Sequence, residues 1–231
     1  MPHDDFQREP ILGLPENLPE NESILWQGRP SAWALTKDAL NFWWIMGYFA
    51  LLAVWRFISA IDLMPLGRAF AVSLPFLVLA AIVGILLFIV AYVQARTTVY
   101  TITTKRVAMR IGAALTVTLN IPFTQIANAS LGLSKSGHGT IALETLGESR
   151  FSYLVAWPHV RPWYMSKTQP SLRAIPNAQE VAKILSQAAV TQIRAHGAKA
   201  QSSLESQRPF PLDGEQFEER SGRNGEVTWN T

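Results

Sequence analysis

No cysteine occurs among the 231 residues, which excludes a disulfide framework, a cysteine-ligated metal and a thiol nucleophile. Histidine is scarce too. His3, His138, His159 and His196 are the whole set, and none stands three or four residues from another histidine or a carboxylate, as a metal site would require. The patterns GxxxxGK[ST], G-x-S-x-G and H-E-x-x-H are all missing. Between residues 96 and 196 the acidic side chains are Glu144, Glu148 and Glu180 alone, too few and too scattered to form a catalytic pair. The expectation is a protein that is not an enzyme and carries no metal or other cofactor.

Charge is also missing where it matters most. Residues 69–93 read AFAVSLPFLVLAAIVGILLFIVAYV without one ionisable group. A helix of about 20 apolar residues crosses a bilayer, so this stretch is long enough with some tilt. Pro75 is expected near its start, where a missing N–H matters least. Residues 42–61, FWWIMGYFALLAVWRFISAI, form a first span whose Trp43, Trp44, Tyr48 and Trp55 resemble interfacial aromatic belts. Arg56 lies near the end of that span, close enough to snorkel or to pair with Asp62. The linker DLMPLGR permits only a tight turn, so the spans run antiparallel. In the second, Ala80 and Gly84 form a small-xxx-small pair, suited either to the hairpin's own packing or to another helix. A homodimer through the hairpin is one such use. Neither span offers a histidine to the magnesium of a chlorophyll-type pigment.

The net charge of +3 is a sum of unlike parts. Residues 1–38 carry −4, residues 39–197 carry +9 and residues 198–231 carry −2. With no nucleic-acid motif beside it, the basic middle points to an anionic membrane leaflet and away from nucleic acid. Arg96, Lys105, Arg106 and Arg110 follow the second span, with Arg29 and Lys37 before the first, against Arg56 and Arg68 near the linker. That asymmetry places both termini in the cytoplasm of a bacterial inner-membrane protein.

After the spans the pattern shortens to alternating runs at 98–103, 107–111, 115–121, 126–133, 139–145 and 151–156. Gly112, Gly132, Gly137 and Gly147 stand at the expected turns. Such spacing predicts a small antiparallel barrel. Pro176-Asn177 then opens a helix over 177–196, with Asn177 as N-cap, Glu180 in the first turn, and Val181, Ile184, Leu185, Ala188 and Ile193 as its apolar stripe. The tail over 197–231 and the first twenty residues are too polar to pack and are expected to be disordered. The fold class is therefore an α+β membrane protein: an N-terminal segment over 1–38, a transmembrane hairpin over 39–95, and a β domain over 96–196 capped by its helix.

One segment of the domain combines unusual residues. Trp157-Pro158-His159-Val160-Arg161-Pro162-Trp163-Tyr164 joins two prolines, two tryptophans and an arginine fork. Trp and Arg are enriched at binding hot spots, so Trp157, His159, Arg161 and Trp163 are candidate contacts with a partner or membrane. The other reading is that these rings plug the end of the barrel. Arg56, Arg96, Lys105, Arg106 and Arg110 are candidate contacts of the same kind, with Arg150, Lys167 and Arg173 extending the basic face.

Two stretches carry a resemblance. Ser23-Ile24-Leu25-Trp26-Gln27-Gly28-Arg29-Pro30 precedes the hairpin. Tyr100-Thr101-Ile102-Thr103-Thr104-Lys105-Arg106-Val107, leading to Arg110-Ile111-Gly112, follows it. This order resembles the bacterial membrane-anchored pleckstrin-homology-like family, which implies a small barrel capped by a C-terminal helix. A narrower match runs through residues 9–40, YFALLAVWR at 48–56, GHGTIALE at 137–144, AWPHVRPW at 156–163 and QPSLRAIPNAQEVAKIL at 169–185. These resemble the PuhB family of photosynthetic reaction-centre assembly proteins, encoded beside the reaction-centre H subunit. That resemblance implies a factor that helps build the reaction centre and its light-harvesting surroundings, with reaction-centre subunits or other assembly factors as partners. The residues by themselves reach only a membrane-anchored interaction module.

Overall fold

The computed structural model describes residues 11–14, 16–112, 116–134, 137–147 and 152–206. Its contacts divide the chain into Met1–Ile193 and Arg194–Thr231. The element order is β1 (Ile24–Gly28), α1 (Ala32–Asp38), α2 (Phe42–Ile61), α3 (Leu66–Thr97), β2 (Val99–Thr103), β3 (Arg106–Ile111), β4 (Val117–Pro122), β5 (Ile126–Leu133), β6 (Gly139–Thr145), α4 (Tyr153–Ala156), β7 (Ser171–Ile175) and α5 (Ala178–Ser206).

The strands make two sheets, in the orders β1-β2-β3-β4 and β5-β6-β7, all pairs antiparallel. The expected closed barrel is absent among the described residues. β4 and β5 are joined through a short 3-10 turn (Phe123–Gln125) and do not pair with each other. One continuous core nevertheless joins both sheets to α5. Tyr100, Ile102 and Met109 from the first sheet meet Ile141, Leu143 and Leu172 from the second, and Val181, Leu185 and Ala188 of α5 close over them. Gly139 sets how closely α5 approaches, because a Cβ there would lie 2.6 Å from the Ala178 Cβ.

The N-terminal segment does not stand apart from the domain as its acidic, proline-rich composition suggests. β1 pairs with β2, Trp26 opposite Ile102 and Gly28 opposite Tyr100. The ring of Trp26 lies over Gly28 so closely that a Cβ would fall 2.4 Å from it. The W-x-G spacing thus reflects two residues on one strand face, one ring and one gap to hold it. Gln27 donates from Nε2 to Thr101 Oγ1 at 3.0 Å and to the Leu12 carbonyl at 2.7 Å. Glu22 is held by Arg106 Nε at 2.9 Å and by the Thr103 hydroxyl at 2.7 Å. β2 is buried along all five residues because β1, β3 and these flanking groups surround it.

Several local expectations change. The run over 151–156 forms the helical turn α4 in its described part, not a strand. β1, β7 and α1 were not anticipated. Gly112, Gly137 and Gly147 do take positive φ, but Gly132 lies inside β5. α5 continues to Ser206, ten residues beyond the expected end, into what reads as tail; the rest of the tail, and residues 1–10, lie outside the described residues. Asn177 precedes α5 in the left-handed region at φ 52°, its carbonyl accepting from the Glu180 and Val181 N–H groups.

α2 and α3 form the expected antiparallel hairpin. Both are long and apolar enough to cross a membrane, and few of their residues are buried inside the protein. α3 starts at Leu66, so Pro75 lies inside the helix and leaves the Ala71 carbonyl without its usual partner. Gly84 faces α2, where a Cβ on it would lie 3.4–3.6 Å from Phe42 and Met46, so the small residue serves the hairpin's own packing. α1 lies against the end of α3, where Ala34, Leu35 and Leu40 bury Ala91 and Leu87 together with Ala174 of β7. Deleting residues 1–28 is expected to bare the edge of β2. Limited proteolysis of the detergent-solubilised protein checks this: cleavage within residues 99–111 should accelerate by about tenfold or more.

Candidate functional site

A buried polar network occupies the junction between the helices and the sheets. His159 is fully buried, its Nδ1 2.6 Å from the Tyr100 hydroxyl and its Nε2 3.1 Å from Thr98 Oγ1. The Tyr100 oxygen already accepts from the Arg173 N–H at 3.2 Å. Its own proton therefore points to Nδ1, which leaves the imidazole neutral with Nε2–H donating to Thr98. Arg173 is buried as well. It donates from Nη1 to the Pro158 carbonyl at 3.2 Å and from Nη2 to the Asp38 carbonyl at 2.9 Å. The main chain completes the joint through Ser171 N to His159 O, Arg161 N to Gln169 O and Ser31 N to Ala174 O.

The electrostatics follow from burial. Removal from water, assisted by the Arg173 cation, pulls the His159 pKa down to about 3. Burial raises that of Tyr100 and lowers that of Arg173. A proton on Nδ1 would make that atom a donor to the Tyr100 oxygen, which already accepts from the Arg173 N–H, and the Tyr100 O–H would lose its acceptor. The neutral ring is the one the site accommodates.

This arrangement fixes one side of residues 157–165 and leaves the other side out. His159 and Val160 are buried, while Trp157, Trp163, Tyr164 and Met165 are exposed. His159 is accordingly a structural residue of the junction and contributes no surface. Arg161 is half-buried, bonded to Gln169 Oε1 at 3.1 Å with its guanidinium 4.3 Å over the Tyr164 ring.

The basic residues do not make one face. Arg96 is exposed beside the end of α3, 5.1 Å over the Tyr92 ring, and Arg110 sits on β3 opposite Val99, close to that same end. Lys105 and Arg106 lie at the far end of the β2–β3 hairpin, about 17 Å along the strand at roughly 3.3 Å per residue, and Arg106 is engaged by Glu22. Arg173 is interior, so it leaves the proposed basic face altogether. Lys167 pairs with Glu144 at 2.9 Å. Arg56 is exposed on α2 with no ion pair to Asp62 among the described residues, and Arg150 lies outside them.

Sequence reasoning missed Thr98, Tyr100 and Arg173 as a functional unit. One signal was present: Arg173 stands alone between Leu172 and Ala174 in an otherwise apolar strand. It also missed an apolar groove of about 330 Å³ between β5, β6 and α5, lined by Leu131, Leu185, Val190 and Ile193 among others. Among the described residues no group of three or more His, Asp or Glu side chains could hold a metal ion.

A family model for the bacterial PH domain matches residues 45–189. The chain belongs to the bacterial PH domain family. A Rhodobacter capsulatus protein described as an uncharacterized 23.7 kDa protein in the puhA 5' region is 46% identical over 193 residues, covering 82% of this chain and 89% of that one. No solved structure matches. The matched PH region begins inside α2 and ends within α5, so in this chain most of the hairpin and strands β2 to β7 fall within one family unit, with β1 outside it.

The buried imidazole makes the stability of this PH domain protein pH-dependent in a defined sense. The unfolded ring takes up a proton below about 6.5 and the folded ring only near 3. Stability is therefore complete above pH 6.5 and declines as pH falls toward 3, by at most about 1.4 kcal/mol per pH unit. Denaturation of the solubilised protein across that range should show the slope, and His159→Gln, which cannot titrate, should remove it. Tyr100→Phe leaves His159 Nδ1 and the Arg173 N–H without partners, and the same assay should register a loss of about 1–3 kcal/mol at pH 7.

Proposed function

We propose that this bacterial PH domain protein is a non-catalytic, membrane-bound assembly factor for the photosynthetic reaction centre and its light-harvesting surroundings. The observation that carries this reading is its 46% identity to the Rhodobacter capsulatus protein named for its place in the puhA 5' region. The resemblance of the chain from about residue 5 to 190 to the PuhB assembly family points the same way. In this reading α2 and α3 cross the bacterial inner membrane as a hairpin with both termini in the cytoplasm, in keeping with the excess of cations flanking the outer helix ends. Arg96 and Arg110, near the end of α3, meet anionic headgroups at about 1 kcal/mol per contact. A non-catalytic role is supported by the buried Tyr100, His159 and Arg173 groups. They are satisfied by one another, by Thr98 and by main-chain carbonyls, as structural networks are. Reaction-centre subunits or other assembly factors are the partners.

The alternative is a general membrane-anchored PH-like module for lipid or protein interaction in the bacterial envelope. It is favoured by the family match, which extends over most of the hairpin and over strands β2 to β7 and says nothing of photosynthesis. A clean deletion in a phototrophic host separates the two. Loss of the near-infrared reaction-centre bands from isolated membranes, restored by the gene in trans, is the expected result. Unchanged spectra together with unchanged phototrophic growth would overturn the assembly role and leave the general module.

A further inference from the structure

The segment from α4 to β7 presents apolar surface that the core behind it does not use. Leu154 is 84% exposed, Trp163 87% and Met165 64%, with Val155, Trp157 and Tyr164 also exposed. Trp163 holds φ at 68°, a left-handed conformation that a bulky side chain adopts only under strain. An indole that is both strained and almost fully in water gains nothing from the fold that places it there. Contiguous exposed apolar surface of this kind marks a contact site with a membrane or partner.

The position of the segment identifies that contact. Its inner side is bolted to the two points where the hairpin leaves and joins the rest of the chain. His159 bonds Thr98, the residue that follows α3. Arg173 bonds both Pro158 and the carbonyl of Asp38, four residues before α2 begins at Phe42. The last exposed apolar turns of α3 carry Ile89, Val90, Tyr92 and Val93. Thr98 lies five residues beyond Val93, about 7.5 Å along a helical axis. The polar layer on each side of a bilayer is about 5–7.5 Å deep, so Thr98 lies at its outer edge. The segment is thus fastened at headgroup level beside the helices, and its composition suits that layer: Trp and Tyr prefer the interface, and Arg161 stands among them with its guanidinium over an aromatic ring.

We propose that residues 154–165 are a third membrane element, a loop inserted into the headgroup–acyl boundary of the same bilayer that α2 and α3 cross. The inference rests on the membrane-spanning reading above and goes beyond it. A hairpin alone can tilt in the bilayer and carry the domain with it; a wedge fixed through His159 and Arg173 sets the orientation of both sheets to the membrane plane. The face offered to an assembling subunit is then constant.

The absence of cysteine makes the test direct. Leu154→Cys, Met165→Cys, Leu79→Cys on α3 and Leu133→Cys at the end of β5 are each made singly in the full chain. All four positions are exposed, so the substitutions spare the core. Each is labelled with an environment-sensitive nitrobenzoxadiazole dye and reconstituted into vesicles of phosphatidylcholine and phosphatidylglycerol. Labels at 154 and 165 should be quenched several-fold more strongly than the label at 133 by lipids with a nitroxide near the headgroup, and should be shielded several-fold from aqueous iodide. Iodide access at 154 and 165 equal to that at 133, with the label at 79 quenched by nitroxide lipid, overturns the loop and leaves the hairpin. A label at 79 that lipid nitroxides do not quench removes the spanning helices, and the loop with them.

Discussion

Arg173 is a guanidinium taken out of water whose described hydrogen bonds go to two main-chain carbonyls, Pro158 and Asp38. Burying a cation is expensive unless its donors are met, so these bonds dictate where three otherwise separate pieces of chain can lie. Its backbone N–H meets Tyr100, and through Tyr100 it reaches His159 and Thr98. Withdrawing any member leaves another polar group unpaired in a dry site. The junction therefore behaves as a single unit, and it is what connects the helical hairpin to the two sheets.

The remaining architecture can be traced outward from that joint. β7 carries Arg173 and takes Ser31 N–H at Ala174, which draws α1 onto the end of α3. β2 carries Tyr100 in the middle of the first sheet, and its neighbours β1 and β3 are locked by Glu22, Arg106 and Gln27. α5 closes the core that the two sheets share. The exposed aromatic side of residues 157–165 is the outer face of the same joint, so the geometry of a surface is set by hydrogen bonds in the interior.

Much of this was legible beforehand. Twenty-five consecutive residues without charge, followed by β-branched runs with glycine between them, specify a helical hairpin and short strands at five of the seven strand positions, because periodicity and breaker residues act locally. The two missed strands have clear reasons. Ile24–Gly28 is exposed in three of five positions and half-buried in the other two through its role as an edge, and Ser171–Ile175 breaks its apolar pattern with the buried Arg173. The run over 151–156 has strand-like residues but sits where the chain must turn toward the helices. The basic residues misled for the same kind of reason: a count of cations does not say which lie at opposite ends of a hairpin, which are paired and which are interior.

The sequence alone determined the apolar hairpin, the alternating strands and the amphipathic start of the last helix, since each depends on neighbours within a few residues. It also determined that no cysteine chemistry operates. Only the tertiary structure decided that the N-terminal segment supplies a strand, that the strands form two sheets with no closed barrel, and that His159 turns inward while Trp163 turns out. Those outcomes rest on contacts between residues 59 to 135 positions apart, such as Tyr100 with His159 and Arg173 with Asp38. At such separations it is the need to satisfy buried polar groups, and not local pattern, that chooses the partner.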